Sequence, residues 1–264
     1  MDSAYPSSAV DENTAVVTRV SDRHWHALGP DRVVGRGEVL RRPDGRRFLS
    51  VDAWHGAVFD QLAGAMLAAL PKPLYTVVDE ADVDLLSRWE LIGFGPRRRE
   101  WEFVVPTDPR LTGLGPVPPP GVTLLAPGEA EEGPLRLLDR LIRDEVEATL
   151  GWQNMPAEVP ALPDGSSLLD PSRYAVAVRS GQYVGLARVA PLPRQPRIGL
   201  IAVRAGLHRR GIARALLAEV LGAAHRRGIT TASADVNQSN HAAIALFEGV
   251  GARRASSNLE LVLR

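Results

Sequence analysis

The sequence contains no cysteine among its 264 residues. A disulfide framework, a thiolate metal site and a cysteine nucleophile are therefore all excluded. There is also no excess of charge, because Lys+Arg and Asp+Glu both number 31. A balanced charge gives no long-range field to attract nucleic acid or an anionic membrane, so we expect neither as a partner.

Long apolar runs are missing as well. The most apolar stretch, residues 62–70, is far shorter than the ~20 residues that a membrane-spanning helix needs. The start, MDSAYPSSAVDENTA, has no basic segment followed by an apolar one, so we expect no secretory signal and a cytoplasmic protein. Residues 1–14 are polar, which predicts a disordered tail. His24 and His26 have no further ligand nearby, so we expect no metal site.

What the chain does have is a dense cluster of proline and glycine. Residues 106–121 read PTDPRLTGLGPVPPPG, and proline removes the backbone donors that a helix or a sheet interior needs. We interpret this stretch as a linker that excludes helix. It separates a predicted domain at 15–105 from a second one at 122–264.

The second domain alternates strands and helices. Apolar spacing predicts helices over 134–150, 211–225 and 240–251, with strands over the remaining apolar runs. That order predicts an α/β domain with a mixed sheet. The first domain repeats the order more weakly, and its run LLSRWELIGFGPRRREWEFVVP parallels AAIALFEGVGARRASSNLELVL near the end of the chain. We infer an internal duplication, with chance recurrence of helix–glycine–strand units as the alternative.

The sharpest motif is IAVRAGLHRRGIARALL, at residues 201–217. A strand passes into a loop that ends in two arginines and a glycine, and the loop passes into a helix. Unpaired N–H groups at the helix start and the added positive charge favour an anion, so the motif predicts a pyrophosphate cradle. Taken alone, it could equally be a helix start with a solvated basic turn.

A second motif decides between these readings. Residues 236–252 read VNQSNHAAIALFEGVGA, and residues 122–264 resemble the GCN5-related N-acetyltransferase family. The first family motif, [Q/R]-x-x-G-x-[G/A], matches residues 208–213. The second, V-x-x-x-N-x-x-A-x-x-L-Y-x-x-x-G-F, matches Val236, Asn240, Ala243, Leu246, Phe247, Gly251 and Ala252.

The resemblance implies two tandem domains of the acyl-CoA N-acyltransferase fold, with acetyl-CoA as co-substrate. It implies that the strands at 198–203 and 229–236 splay apart to admit the pantetheine arm. The residues it predicts to bind acetyl-CoA are Ile201, Ala202, Val203, His208, Arg209, Arg210, Gly211, Ile212, Ala213, Asn237, Asn240 and Phe247. We expect transfer of the acetyl group to a primary amine of a small molecule or peptide.

Two departures from the family pattern concern the reaction itself. Phe247 stands where the family has a tyrosine that protonates the thiolate, and the strand RIGLIAV lacks the glutamate that deprotonates the amine. Glu145 and Asp235 are the substitutes we predict for catalysis, against the alternative that both are solvated surface charges. A non-catalytic acyl-CoA-binding sensor or scaffold is the alternative function.

The N-terminal half lacks the cradle. Where the repeat would put it, the chain reads VDAWHGAVFDQL, which passes almost directly from strand to helix without basic residues. We therefore expect a degenerate copy that binds no CoA. Residues 97–99, three consecutive arginines, are predicted to form a solvated turn. The sequence is compatible with a monomer or a homodimer.

Overall fold

The computed structural model describes residues 15–264 apart from 43, 116, 150, 152–168 and 191–194. The predicted tail at 1–14 lies outside the described residues. The chain divides into two compact units. The first comprises the residues up to Val78, Asp82–Arg97 and Glu260–Arg264, and the second comprises Asp79–Ala81 and Arg98–Leu259. The domain limits at 105 and 122 stay predictions of the composition.

The first unit is a sheet with two helices. Its strands are β1 (Val16–Arg19), β2 (His24–Leu28), β3 (Val33–Arg41), β4 (Arg47–Ala53) and β5 (Leu74–Asp79), and its helices are α1 (Gly56–Ala69) and α2 (Val83–Leu91). Strands β1 to β4 pair antiparallel in sequence order, and β5 pairs parallel with β4. Helix α1 packs closely on β3, because a Cβ at Gly37 would come 2.4 Å from the sulfur of Met66.

Strand β6 (Gly95–Pro106) corrects the expectation of a solvated turn at residues 97–99, because all three arginines belong to it. Arg98 is buried, and its Nη2 lies 3.2 Å from Glu100 Oε1. Arg97 is paired with Glu260 and Arg99 with Glu80. The fold supplies each arginine with a carboxylate, which a local reading of the charges cannot foresee.

The Pro-rich stretch also contains a helix, contrary to the prediction. Helix α3 (Pro109–Thr112) starts after Asp108, whose Oδ1 accepts a hydrogen bond from the Arg110 N–H at 2.8 Å. Pro109 lies at the first helical position, where a missing N–H costs nothing. Helix exclusion by proline therefore fails at the one position where proline suits a helix.

The second unit is a mixed sheet with helices on both faces. Its further elements are β7 (Val122–Leu125), α4 (Glu132–Glu147), β8 (Tyr174–Arg179), β9 (Gln182–Ala190), β10 (Arg197–Val203), α5 (Ile212–Arg226), β11 (Thr231–Asn237), α6 (His241–Glu248) and β12 (Arg253–Leu263). The strand order is β12-β6-β11-β10-β9-β8-β7. The predicted mixed α/β sheet is confirmed. None of the described helices is long and apolar enough to cross a membrane.

Two apolar clusters hold the helices of the second unit to opposite faces of its sheet. Helix α4 buries Leu135, Leu138 and Ile142 against β8, β9 and β10. Helices α5 and α6 bury the other face, through residues that include Leu216, Leu217 and Phe247. The face under α4 and the face under α5 therefore carry different residues of each strand.

Candidate functional site

Two neighbouring parallel strands of the second unit separate along their length. Strands β10 and β11 are in register only at Arg197 and Ser233, where the Ser233 N–H donates to the Pro196 carbonyl at 3.0 Å. Strand β10 stays paired with β9, and β11 with β6, as far as Val203 and Asn237. Each strand is thus held by its outer neighbour, and a V-shaped opening remains between them.

A β-bulge lies near the base of this opening. The register of β10 with β9 slips between Ile198 and Leu200, which makes Gly199 the extra residue. Ile201 and Val203 pack toward the cluster under α5, whereas Leu200 and Ala202 pack toward α4. The three predicted binding residues of this strand, 201–203, are half-buried. They lie beyond the last pair with β11, so their edge borders the opening.

The loop after β10 has the backbone of an anion-binding turn. Arg209 and Gly211 both have positive φ, 61° and 80°, and alternation of this kind points successive N–H groups toward one side. Helix α5 follows with no side-chain cap on its first turn. A Cβ at Gly211 would come 3.3 Å from Pro119 Cγ. Arg209 and Arg210 are exposed at this helix start, where Ile212 is buried and Ala213 half-buried.

His208 and Glu145 fix this loop in position. The His208 Nε2 lies 2.7 Å from the Val203 carbonyl, and because a carbonyl can only accept, that nitrogen carries the proton. Glu145 of α4 accepts from Arg204 Nε at 2.6 Å and from the Ala205 N–H at 2.9 Å. The two carboxylate oxygens thus tie helix α4 to the segment between β10 and the turn.

Asp235 lies on β11, beside the first residue of β10. Its Oδ2 is 3.1 Å from Nη1 of Arg197, the first residue of β10. Burial raises the pKa of Asp235 against the pull of Arg197, and Glu102, its cross-strand partner on β6, adds to the rise. A raised pKa suits a carboxylate that must accept a proton near neutral pH.

The two carboxylates predicted for catalysis are therefore not brought together. Asp235 is bonded to Arg197 and Glu145 to Arg204. Seven residues of extended chain separate the backbones of these two arginines by ~20 Å. Asp235 borders the base of the opening, and Glu145 borders the loop at its far end. A single amine cannot use both as its base.

The remaining predicted residues lie on β11 and α6. Asn240 is the N-cap of α6, because its Oδ1 accepts from the Ala243 N–H at 3.1 Å, as its position in the sequence predicts. Asn237 is buried, and its Oδ1 accepts from the Ser239 N–H and hydroxyl. Phe247 is 2% exposed and stacks on Phe103 with ring centroids 5.8 Å apart. Its ring packs in the core.

Residues 139–252 match the model of the Acetyltransferase (GNAT) family. The matched range holds both strands of the opening, the turn at 208–211 and helices α5 and α6. The match covers 114 of the 264 residues, and we call residues 139–252 the GNAT domain. No curated protein matches the chain.

The fold of the whole chain is similar to that of solved GNAT proteins. A GCN5-related N-acetyltransferase from Sphaerobacter thermophilus is 20% identical, with a TM-score of 0.65 over 93% of this chain and 82% of that one. A tandem GNAT protein from the clavulanic acid biosynthesis pathway is 16% identical, with a TM-score of 0.64 over 91% and 82%. The predicted acyl-CoA N-acyltransferase fold is thereby confirmed.

Several polar residues of the GNAT domain escaped the sequence interpretation. They are Tyr174, Arg188, Arg197 and Arg204, together with Glu102 of β6. All except Arg204, which follows directly on β10, lie on strands, and in the sequence they read as ordinary members of alternating runs. Only the pairing of strands reveals that several of them project from one face of the sheet.

Proposed function

We propose that the GNAT domain transfers an acetyl group from acetyl-CoA to a primary amine of a small molecule or peptide. Acyl transfer is the activity of the family to which the domain belongs. The observation that carries the proposal is the continuity of the V-shaped opening with the turn at 208–211. An elongated molecule with a diphosphate at one end suits such a path.

The turn fits a diphosphate by three independent features. The first N–H groups of α5 have no side-chain acceptor, the positive φ of Arg209 and Gly211 supports a concave backbone, and two exposed arginines supply charge. In this proposal residues 208–213 bind the diphosphate, and the edge of 201–203 hydrogen-bonds the amides of the pantetheine arm. Asn237 and Asn240 border the arm from the β11 side.

Asp235 is the base in this mechanism. It removes a proton from the ammonium form of the acceptor, and the freed nitrogen lone pair forms a bond to the thioester carbonyl carbon. The carbon–sulfur bond then breaks and the acetyl group stays on nitrogen. The CoA thiolate takes up the second amine proton through water. A backbone N–H of β10 beside the bulge at Gly199, at the same end of the opening as Arg197 and Asp235, is the donor we assign to the carbonyl oxygen.

No protein acid is required for the last step. The core position of Phe247 leaves the tyrosine of the family pattern without a replacement on α6. A thiol has a pKa near ~8.5, so a thiolate is a stable leaving group that water can protonate.

The N-terminal unit has no matching site in this proposal. Its parallel strands β4 and β5 also pair only at their start, but the buried Thr76 hydroxyl donates to the Leu49 carbonyl at 3.0 Å within that gap. The start of α1 faces a cation, since a Cβ at Gly56 would lie 1.9 Å from Arg88 Nη2. A guanidinium there occupies the position that an anion would need.

Calorimetric titration with acetyl-CoA tests the proposal, with an Arg210→Glu, Gly211→Asp double variant beside the wild type. We expect one equivalent to bind to the wild type and none to the variant, because a carboxylate would then occupy the turn. A matched Arg227→Glu variant controls for charge, since Arg227 is exposed at the far end of α5. Absence of binding to the wild type would refute the proposal.

Turnover separates the enzyme from the alternative function, a non-catalytic acyl-CoA-binding sensor or scaffold. The observation in favour of the sensor is the core position of Phe247, which leaves no tyrosine acid. Both functions predict acetyl-CoA binding. Only the enzyme predicts release of free thiol that depends on an added amine.

A further inference from the structure

The sheet face under α4 carries a row of polar side chains beside the opening. Tyr174, Arg188 and Leu200 are cross-strand partners on β8, β9 and β10. Tyr174 and Leu200 belong to the cluster under α4, and directly opposite residues project to the same side of a sheet. The Arg188 side chain therefore emerges on the α4 face, one strand away from the bulge at Gly199.

Most charges on this face are neutralised by a neighbour. Arg143 Nε lies 2.6 Å from Asp139 Oδ2, and Arg197 Nη1 lies 3.1 Å from Asp235 Oδ2. On β6, Arg98 is paired with Glu100. These three ion pairs carry no net charge, so the charge distribution on this face depends on the ionised groups that remain.

Arg188 is the cation that remains. Its Nη1 is buried and has no hydrogen-bond partner among the described residues, and no carboxylate of that part of the chain forms an ion pair with it. It lies beside the Tyr174 phenol, whose pKa is raised by burial, so this neighbour stays neutral. A guanidinium with a desolvated N–H and no counter-charge is costly unless a ligand supplies the anion.

Glu102 is the anion that remains. It lies on β6 opposite Asp235, and its Oε2 accepts from the Ser256 hydroxyl at 2.6 Å. Asp235 and Glu102 thus place two carboxylates on β11 and β6, against one arginine, Arg197, on β10. The face is thus polar along its width, positive at β9 and negative at β11 and β6.

We infer that the acceptor is a zwitterion, an amino acid whose carboxylate is bound by Arg188 and whose amine faces Asp235 and Glu102. This inference rests on the proposed amine acetylation and names the class of its acceptor. The free Nη1 of Arg188 supplies the donor for the carboxylate, and a charge-assisted bond of this kind is among the strongest available.

The width of the face also sets the length of the acceptor. Strands β9 and β11 flank β10 at ~4.8 Å spacing or more, so the backbones of Arg188 and Asp235 are separated by at least ~10 Å. The Asp235 side chain reaches toward β10, where its Oδ2 lies 3.1 Å from Arg197 Nη1, whereas the Arg188 side chain lies beside Tyr174 of β8. An acceptor with several carbons between amine and carboxylate spans the remaining gap better than an α-amino acid does.

The test is the rate of thiol release from acetyl-CoA with matched pairs of acceptors. Each linear ω-amino acid, from glycine to 6-aminohexanoate, is compared with the alkylamine of the same carbon count. We expect the wild type to prefer the amino acid of a pair by about ten- to a hundred-fold in kcat/KM, as one charged hydrogen bond gives. The preference should be largest for an ω-amino acid that is longer than glycine. Equal rates within every pair would overturn the inference while leaving amine acetylation intact.

Two variants assign the preference to one side chain. Within each variant the readout is the ratio of kcat/KM for the amino acid to kcat/KM for its alkylamine. Arg188→Gln should lower this ratio to about one, whereas Arg188→Lys should keep part of the preference. Arg227→Gln removes the same charge at an exposed position and should leave the ratio unchanged. Calorimetry with acetyl-CoA and a thermal melt confirm that each variant is folded. A preference that survives Arg188→Gln, or no thiol release by the wild type with any acceptor, would overturn the assignment; only the latter also ends the acetylation proposal.

Discussion

Replacing Glu145 by glutamine keeps the shape of the side chain and removes its charge, which separates two roles for this residue. A catalytic base would lose turnover while acetyl-CoA affinity stayed constant. A residue that fixes the loop after β10 would lose acetyl-CoA affinity while turnover at saturation stayed constant. The contacts to Arg204 Nε and the Ala205 N–H predict the second outcome.

The size of the effect follows from the exposure of the partners. A hydrogen bond to a charged group contributes ~1.5–3 kcal/mol when shielded from water. The side chains of Glu145 and Arg204 are 28% and 34% exposed, so screening reduces the contribution to about 1 kcal/mol. That corresponds to about five-fold weaker binding of acetyl-CoA.

The assay is calorimetry for the dissociation constant and thiol release for kcat, on the wild type and the Glu145→Gln variant. Asp144→Asn is the matched control, since Asp144 is its exposed neighbour on the same helix. The control should leave both quantities unchanged. A fall of kcat by a hundred-fold with unchanged affinity in Glu145→Gln would refute the loop-fixing role and restore Glu145 as a base.

Two further predictions concern the reaction and the core. Asp235→Asn should lower kcat by ~10²–10⁴-fold and leave the calorimetric affinity for acetyl-CoA unchanged. Because burial raises the pKa of Asp235, the kcat/KM of the wild type should fall on acidification with a midpoint above the ordinary 3.8. A midpoint at or below 3.8 would contradict the assignment. Phe247→Tyr should lower the melting temperature without raising kcat, because its hydroxyl would enter the core beside Phe103; a gain in kcat would show that position 247 reaches the site.

The sequence predicted the parts of the fold that depend on local pattern. Helix α5 begins one residue from its predicted start, and Asn240 caps α6, because apolar periodicity and capping chemistry are properties of neighbouring residues. The bulge at Gly199 could not be predicted, since one extra residue in a strand appears only against its partner. The bond of Glu145 to Arg204 joins residues 59 positions apart, and no local signal carries that information.

The partial pairing of β10 with β11 also has a consequence for local stability. Where two strands of one sheet separate, the facing N–H and C=O groups need another hydrogen-bond partner, since unpaired backbone groups cost free energy when they are shielded from water. The interior of this sheet therefore contains a seam of backbone groups without a strand partner, and segments with solvent-exposed hydrogen-bonding groups open most readily. A ligand that fills the seam completes the sheet as an extra strand would. We therefore expect a bound ligand to stabilise this part of the domain against local opening, and the same incomplete pairing leaves room for a ligand to enter.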